Sequence, residues 1–433
     1  MALLRTFLPA AVMVYVAAAN GHTFSRPNCT LPPQELYHFV SAPNVRGTLD
    51  ILWTCLATII ACTYTVLHLN VPEQRDGRDM DRGWRGDLKW WRKGIWPSLK
   101  WTVATVLAPE YYATIAIGQF LEARETLTKL RKLPDDRHPP YGWTLTHAFF
   151  VQMGGFAMKM KQHPEISSSS SSSSSDEEER HGSLAFLSAD QLRTSLLSST
   201  HHVVVPSLPT ETEIQDRSKS DLFARALVVL QIAFFCLNCL TRAIRHLPLT
   251  LLELGTLGFA ACTILTYIIL FKKPRSVAHP IVLADLNAGS HRDFDLGAGA
   301  LDTERTHNNH VPVLEREVCG VELNAIAMGG LAVLLGAIHV AGWDFAFPTA
   351  ADRWAWRACA VASTVAIPAL LVGVGVLDAT RLAGYWATWL LYAGLGAYCV
   401  MRVVLIAEMV RCLFYLPAAA YMTTWAANIP HVG

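Results

Sequence analysis

Two apolar runs joined by a short basic link constrain this chain more than any other feature. Leu222 to Leu240 is mostly apolar, with Arg225 near its start. Arg242, Arg245, His246 and Pro248 interrupt it, Leu251 to Phe271 is apolar again apart from Glu253, and Lys272, Lys273, Pro274 and Arg275 close it. Each arm approaches the ~20 residues that cross the ~30 Å hydrocarbon core of a bilayer. The link has room only for a tight turn, so the arms pack antiparallel, and the cationic stop suits a cytoplasmic end. Only 16% of the 433 residues are charged and 52% are hydrophobic, against about 25% charged in a soluble domain. The hairpin therefore belongs to a chain that buries much of its length in lipid.

The amino end has the pattern of a secretory signal. Arg5 precedes an apolar run from Phe7, and Ala17-Ala18-Ala19 supplies small residues for cleavage. The run is short for a span, which favours a cleaved signal over an uncleaved anchor. Asn28-Cys29-Thr30 follows as a glycosylation sequon, so Asn28 is a candidate glycan site and the amino end is lumenal or extracellular. Leu49 to Leu69 is the first span. Glu73 to Lys100 then carries eight Lys/Arg against five Asp/Glu, a cytoplasmic excess. Trp84, Trp90, Trp91, Trp96 and Trp101 are interleaved with those cations, as suits a headgroup layer.

Trp101 to Phe120 is long enough to span but holds Pro109 and Glu110 in its middle, and Leu121 to His138 behind it carries five Lys/Arg. A single crossing would translocate those cations, so the piece is expected to be an interfacial or re-entrant helix running into a charged amphipathic one. Trp143 to Met158 is too short to span alone; the two pieces together would make a second hairpin without changing parity. Ser167 to Ser175 is an unbroken serine run followed by Asp176 and Glu177 to Glu179. Such a segment buries no apolar surface and is expected to be disordered, and Ser175 before the acids is a candidate for an acid-directed kinase. Ala325 to Ala341, Trp354 to Val376 and Gly384 to Met401 are three further spans, with Gly329, Gly330, Gly336, Gly394 and Gly396 as small contact residues.

The expected fold class is all-α: a polytopic helical membrane protein with about six transmembrane helices plus one or two interfacial or re-entrant helices. The divisions are a signal peptide at 1–21, a lumenal segment at 22–48, the first span at 49–69 and cytoplasmic or interfacial amphipathic helices at 70–162. A disordered serine-rich loop at 163–221, the hairpin at 222–275, a cytoplasmic loop at 276–322, three spans at 323–404 and a tail at 405–433 complete it.

Arg46-Gly47-Thr48-Leu49-Asp50-Ile51-Leu52-Trp53-Thr54-Cys55, followed by Thr65-Val66-Leu67-His68-Leu69-Asn70-Val71-Pro72, resembles the opening of a large fungal family of uncharacterised multi-pass membrane proteins. Ala108-Pro109-Glu110, Trp143 to Phe149, the arm from Glu253 to Lys273-Pro274, Phe347-Pro348, Trp356-Arg357 and the ending Ile429-Pro430-His431 are similar too. This chain departs from the pattern at Leu270, Phe271 and Lys272, where the family tends to carry an aromatic pair. The resemblance implies a membrane protein and no agreed activity, catalytic residue or ligand.

Three classes of function compete: a binding, sensing or scaffold protein of the membrane; a transporter or channel for a small solute or proton; and a membrane enzyme. No histidine-box set, GxSxG elbow, P-loop or HExxH occurs, which leans against the enzyme. A transporter is expected to carry intramembrane ionisable groups, and Glu110, Glu253, His339 and Glu408 are the candidates. Each has a plainer structural role; Glu253 in particular is expected to pair with Arg245 or Arg242 across the hairpin turn. The ten cysteines form no zinc array, and Cys236 and Cys239 lie inside an apolar arm. His291, Asp293, Asp295, His307 and His310 match no ligand template and read as a solvated loop. No cofactor is implied. The expected partners are the lipid bilayer and unidentified proteins, and not nucleic acid, for which a net charge of +1 provides no global field.

Overall fold

The computed structural model describes residues 45–72, 84–160, 183–197, 208–218, 222–286, 320–379 and 384–424. The signal peptide, Asn28 and the serine run with Ser175 lie outside them. Six helices among the described residues are long and apolar enough to cross a membrane: α1 (Thr48–Val66), α7 (Leu222–Ile244), α8 (Leu251–Ile269), α9 (Gly320–Val340), α10 (Ala350–Ala379) and α11 (Gly384–Cys412). Their outward apolar side chains are bare: Ile60, Ile268, Val372 and Tyr392 are 65%, 66%, 67% and 67% exposed. Rows of such residues along long helices suit contact with acyl chains rather than water. The last helix runs on to Cys412, well past the expected end at Met401.

The chain divides into two units, one of Met1–Ala61, Val228–Ala260 and Ala332–Gly433, the other of Cys62–Leu227 and Ala261–Leu331. In the first, Ile51, Cys55, Phe235, Cys239, Leu251, Trp356 and Leu405 share one buried cluster. Helix starts are capped by short-range carboxylates. At α8 the Thr250 amide donates to Glu253 (2.8 Å) and the Glu253 amide to the Thr250 hydroxyl (3.1 Å); Thr349 and Asp352 repeat the arrangement at α10. These reciprocal bonds satisfy amides that the first helical turn leaves open. Small residues allow close packing: a Cβ on Gly336 would collide with Thr364, and one on Gly394 would meet Leu370 at 2.8 Å. Gly330 and Gly396, by contrast, face open space. Pro368 stays inside a continuous helix. Before α1, the Arg46 amide donates to the Tyr421 carbonyl (2.9 Å) and Val45 pairs with Met422. The chain just before the first span and just after the last thus lie together, which requires an even number of crossings.

The second unit holds a small folded domain where the sequence suggested loops. Its elements are α2 (Trp84–Leu107), α3 (Pro109–Leu130), α4 (Leu145–Gln152), β1 (Phe156–Met160), β2 (Ser183–Phe186), α5 (Ala189–Leu197), α6 (Glu211–Asp216) and β3 (Ile281–Leu286). The sheet order is β2-β1-β3, with β1 antiparallel to β2 and parallel to β3. Val71, Leu130, Trp143, Phe150, Phe156, Leu192, Ile214 and Leu283 are among the residues of its core. So 163–221 is not loop throughout, since 183–197 and 208–218 contribute buried leucines and Ile214. The 276–322 segment begins with a strand, and Trp143 to Met158 divides into α4 and β1 rather than forming an arm of a hairpin.

The Trp101 to Phe120 piece breaks at Ala108, because Pro109 starts a new helix and donates no amide to the old one. The Thr114 hydroxyl reaches Met328 Sδ (3.3 Å), and Gly118 lies against Asn324. The first turns of α3 therefore run beside the start of α9. The Val71 amide donates to the Met153 carbonyl (2.9 Å), so everything between 72 and 153 crosses an even number of times or not at all. The tryptophans differ along α2: Trp84, Trp91 and Trp96 are exposed, whereas Trp101 is buried against the Tyr112 ring.

Candidate functional site

Glu253 is 2% exposed and holds a bidentate pair, but with a different arginine from the two expected. Arg46 Nη1 lies 2.5 Å from Oε1 and Nη2 3.2 Å from Oε2. The Arg46 Nε–H donates to the Ala420 carbonyl (2.8 Å). Arg242 is fully buried and bonds only backbone oxygens: Met422 O (2.7 Å), Pro248 O (2.8 Å) and Ala420 O (3.0 Å). Arg245 is exposed. The expected pairing of Glu253 with Arg245 or Arg242 is thus corrected. The hairpin turn and the C-terminal segment already occupy the Arg242 fork, and Arg46 supplies the planar donors that match a carboxylate. The result is a clamp on the chain before α1, the α7–α8 turn and the segment after α11.

His339 of this unit is held by partners on both ring nitrogens, whereas Glu408 Oε2 is buried with no hydrogen-bond partner among the described residues. His339 Nδ1 lies 2.7 Å from the Leu335 carbonyl and Nε2 lies 3.2 Å from Arg402 Nη1. A carbonyl only accepts and a guanidinium only donates, so the ring is neutral with its proton on Nδ1. Protonating Nε2 would break the bond to Arg402 and set two cations together. Glu408 Oε1 lies 3.7 Å from Arg411 Nη1, which also holds Asp352 at 2.7 Å. In the second unit, Glu110 is 0% exposed, in the first turn of α3.

Where α1 and α8 end, the second unit gathers cations. Lys273 is buried and its Nζ donates to the His68 carbonyl (2.9 Å) and Gln119 Oε1 (2.9 Å). Burial pushes its ammonium down to about 7, against a smaller upward pull from Glu122. Arg275 lies over the Tyr64 ring at 4.0 Å and donates to the Tyr64 carbonyl. His68 Nδ1–H donates to the Val66 carbonyl (2.8 Å), and burial together with Lys273 and Arg275 pushes the ring down to about 3. The Tyr112 hydroxyl oxygen accepts from the His68 amide at 3.1 Å, and burial raises its phenol to about 12. Three side chains thereby satisfy carbonyls at the C-terminus of α1, the helix end that favours cations.

Three residues of these centres were not singled out by sequence: Arg46, Lys273 and Arg275, whose partners are far along the chain. Outside the centres, Tyr141 was also missed: it is 98% exposed, with φ 68°, between Pro140 and Gly142. A bulky residue in the left-handed region is a strained position, and the Pro139-Pro140 pair was the available signal. Among the described residues no group of three or more His, Cys, Asp or Glu could hold a metal ion.

A family model, described as a family of unknown function (DUF8562), matches residues 20–291. No curated protein and no solved structure matches the chain. The matched range takes in Arg46, His68, Glu110, Glu253, Lys273 and Arg275. His339, Glu408, Phe347-Pro348, Trp356-Arg357 and the final Ile429-Pro430-His431 fall outside it.

Proposed function

The chain belongs to this family of unknown function, and we propose that it is a membrane-anchored binding, sensing or scaffold protein. The spans are the anchor, and the domain around the β2-β1-β3 sheet receives a partner. One observation carries this reading: Glu253 and His339, two of the four ionisable groups expected of a transport path, are committed to structural partners. In this reading the protein is fungal and of the secretory pathway, its amino end is lumenal with a glycan on Asn28, and the domain faces the cytoplasm. The serine run then joins β1 to β2 on the cytoplasmic side, where phosphate on Ser175 would add about −1.5 to −2 charge.

A second reading, transport of a small solute or proton, is favoured by one feature. The break at Ala108-Pro109 brings a fully buried carboxylate, Glu110, to the start of a helix that packs along α9. Broken helices at membrane depth are tolerated where protein or a water-filled cavity covers them.

Complementation of cells lacking the protein separates the two. Under the binding reading, Tyr141→Ser keeps normal abundance and loses function, because an exposed aromatic on a strained turn is a contact rather than a packing residue. Glu110→Gln, if equally abundant, then complements fully. Full complementation by Tyr141→Ser with loss in Glu110→Gln would reverse the order of the two readings.

A further inference from the structure

At the ends of α1, α7 and α8, the second unit presents two arginines to one exposed aromatic. Tyr64, in the last turn of α1, is 53% exposed. Arg275 lies on its ring and uses Nη2 for the Tyr64 carbonyl. Arg225, in the first turn of the α7 span, is partly exposed; Gln231 Nε2 donates to Thr58 Oγ1 (3.2 Å), so α7 lies antiparallel beside α1 and Arg225, six residues before Gln231, comes level with Tyr64, six residues after Thr58. Neither arginine has a carboxylate within ion-pair distance among the described residues. Phe271, 58% exposed, and Lys272, 51% exposed, border the patch; Lys272 leans toward Glu211 at 3.4 Å.

Two like charges held together with no counter-charge among the described residues raise the energy of the fold, and an anion between them lowers it. Each of the three helix ends lies where a span meets the headgroup layer, so the anion at that depth is a lipid phosphate. A tyrosine beside arginines is also the residue expected at this level, with its ring toward acyl chains and its hydroxyl toward water.

We propose that Tyr64, Arg225 and Arg275 form a site for the phosphate of an anionic phospholipid in the leaflet at that end of α1, α7 and α8. The site rests on reading the spans as a membrane anchor, but it is independent of the partner assigned to the domain. Loss of the lipid site would leave the Tyr141 experiment intact.

The test uses the full chain extracted from vesicles of equimolar phosphatidylcholine and phosphatidylserine, with the co-purified lipids counted by native mass spectrometry. Wild type should be enriched in phosphatidylserine, and the enrichment should fall as salt is raised. Arg225→Gln should weaken it roughly fivefold, the contribution of one cation near an anionic surface. That variant removes no bond to the described residues and so should fold. Arg245→Gln, an exposed arginine after α7, should leave the enrichment unchanged. Inorganic phosphate should not displace the lipid; displacement would make this a site for a free anion and overturn the lipid assignment. Equal retention of the two lipids by wild type, or unchanged enrichment in folded Arg225→Gln, would overturn it as well.

Discussion

The two cation centres differ in how their charge is balanced. At the clamp, Arg46 and Arg242 share a buried neighbourhood with Glu253, and the carboxylate takes both donors of the Arg46 fork. At the ends of α1 and α8, Lys273 and Arg275 bond carbonyls, an amide oxygen and a ring. The acid acting on Lys273 is Glu122, at longer range. A paired charge fixes chain segments at low electrostatic cost, and removing one partner is what harms it. A cation held by neutral acceptors is easier to deprotonate, and its region still attracts anions. The clamp is thus a structural lock, and the second centre is the place to look for binding.

The largest effect should come from breaking the lock. Glu253→Leu leaves Arg46 buried without its carboxylate and should destabilise the protein by about 3–5 kcal/mol, read as a lower melting temperature and lower abundance. Exchanging the pair, Glu253→Arg with Arg46→Glu, should recover part of the loss but not the bond to the Ala420 carbonyl. Unchanged melting in Glu253→Leu would show the two centres to be alike.

The second centre should respond to acid. His68 is held near 3 in the fold against 6.5 when free, so between those values the unfolded chain binds more protons. Stability from this group is complete above pH 6.5 and declines as pH falls toward 3. Replacing His68 with Gln should flatten that part of the melting-temperature profile, and an unchanged slope would contradict the assignment. Lys273→Met comes next, at about 1–3 kcal/mol from the orphaned His68 carbonyl and Gln119. Since Lys273 sits at about 7 against 10.5, wild-type stability should also rise with pH across that interval, and the variant should lose the rise. The smallest effect belongs to Arg245→Gln, within about 0.5 kcal/mol, since the residue is exposed. A loss comparable to that of Glu253→Leu would return Arg245 to the clamp.

The spans were legible because a long apolar run has few other destinations, whereas Trp101 to Phe120, expected as one helix, divides at Pro109, which offers no amide to the preceding helix. Glu253 was legible as a residue of a span's start, where it caps α8 with Thr250. Its partner was not, since Arg46 lies 207 positions away and no local rule ranks it above the nearby Arg242 and Arg245. The sheet was hidden for a related reason. β1 finds its parallel neighbour β3 only beyond the α7–α8 hairpin, and strands of four to six residues carry too few alternations to declare themselves. The serine run further disguised β1 and β2 as the edges of a loop.

The central claim is that the spans carry a folded domain whose α2–α3 pair makes no net crossing, while α7 does cross. Cysteine substitution at Tyr141, before α7, and at His246, just after it, with impermeant thiol labelling of sealed vesicles, tests this most directly. The account predicts that the two positions label from opposite sides and that Tyr141→Cys labels from the same side as a cysteine at Lys272. Labelling of positions 141 and 246 from one side would contradict it.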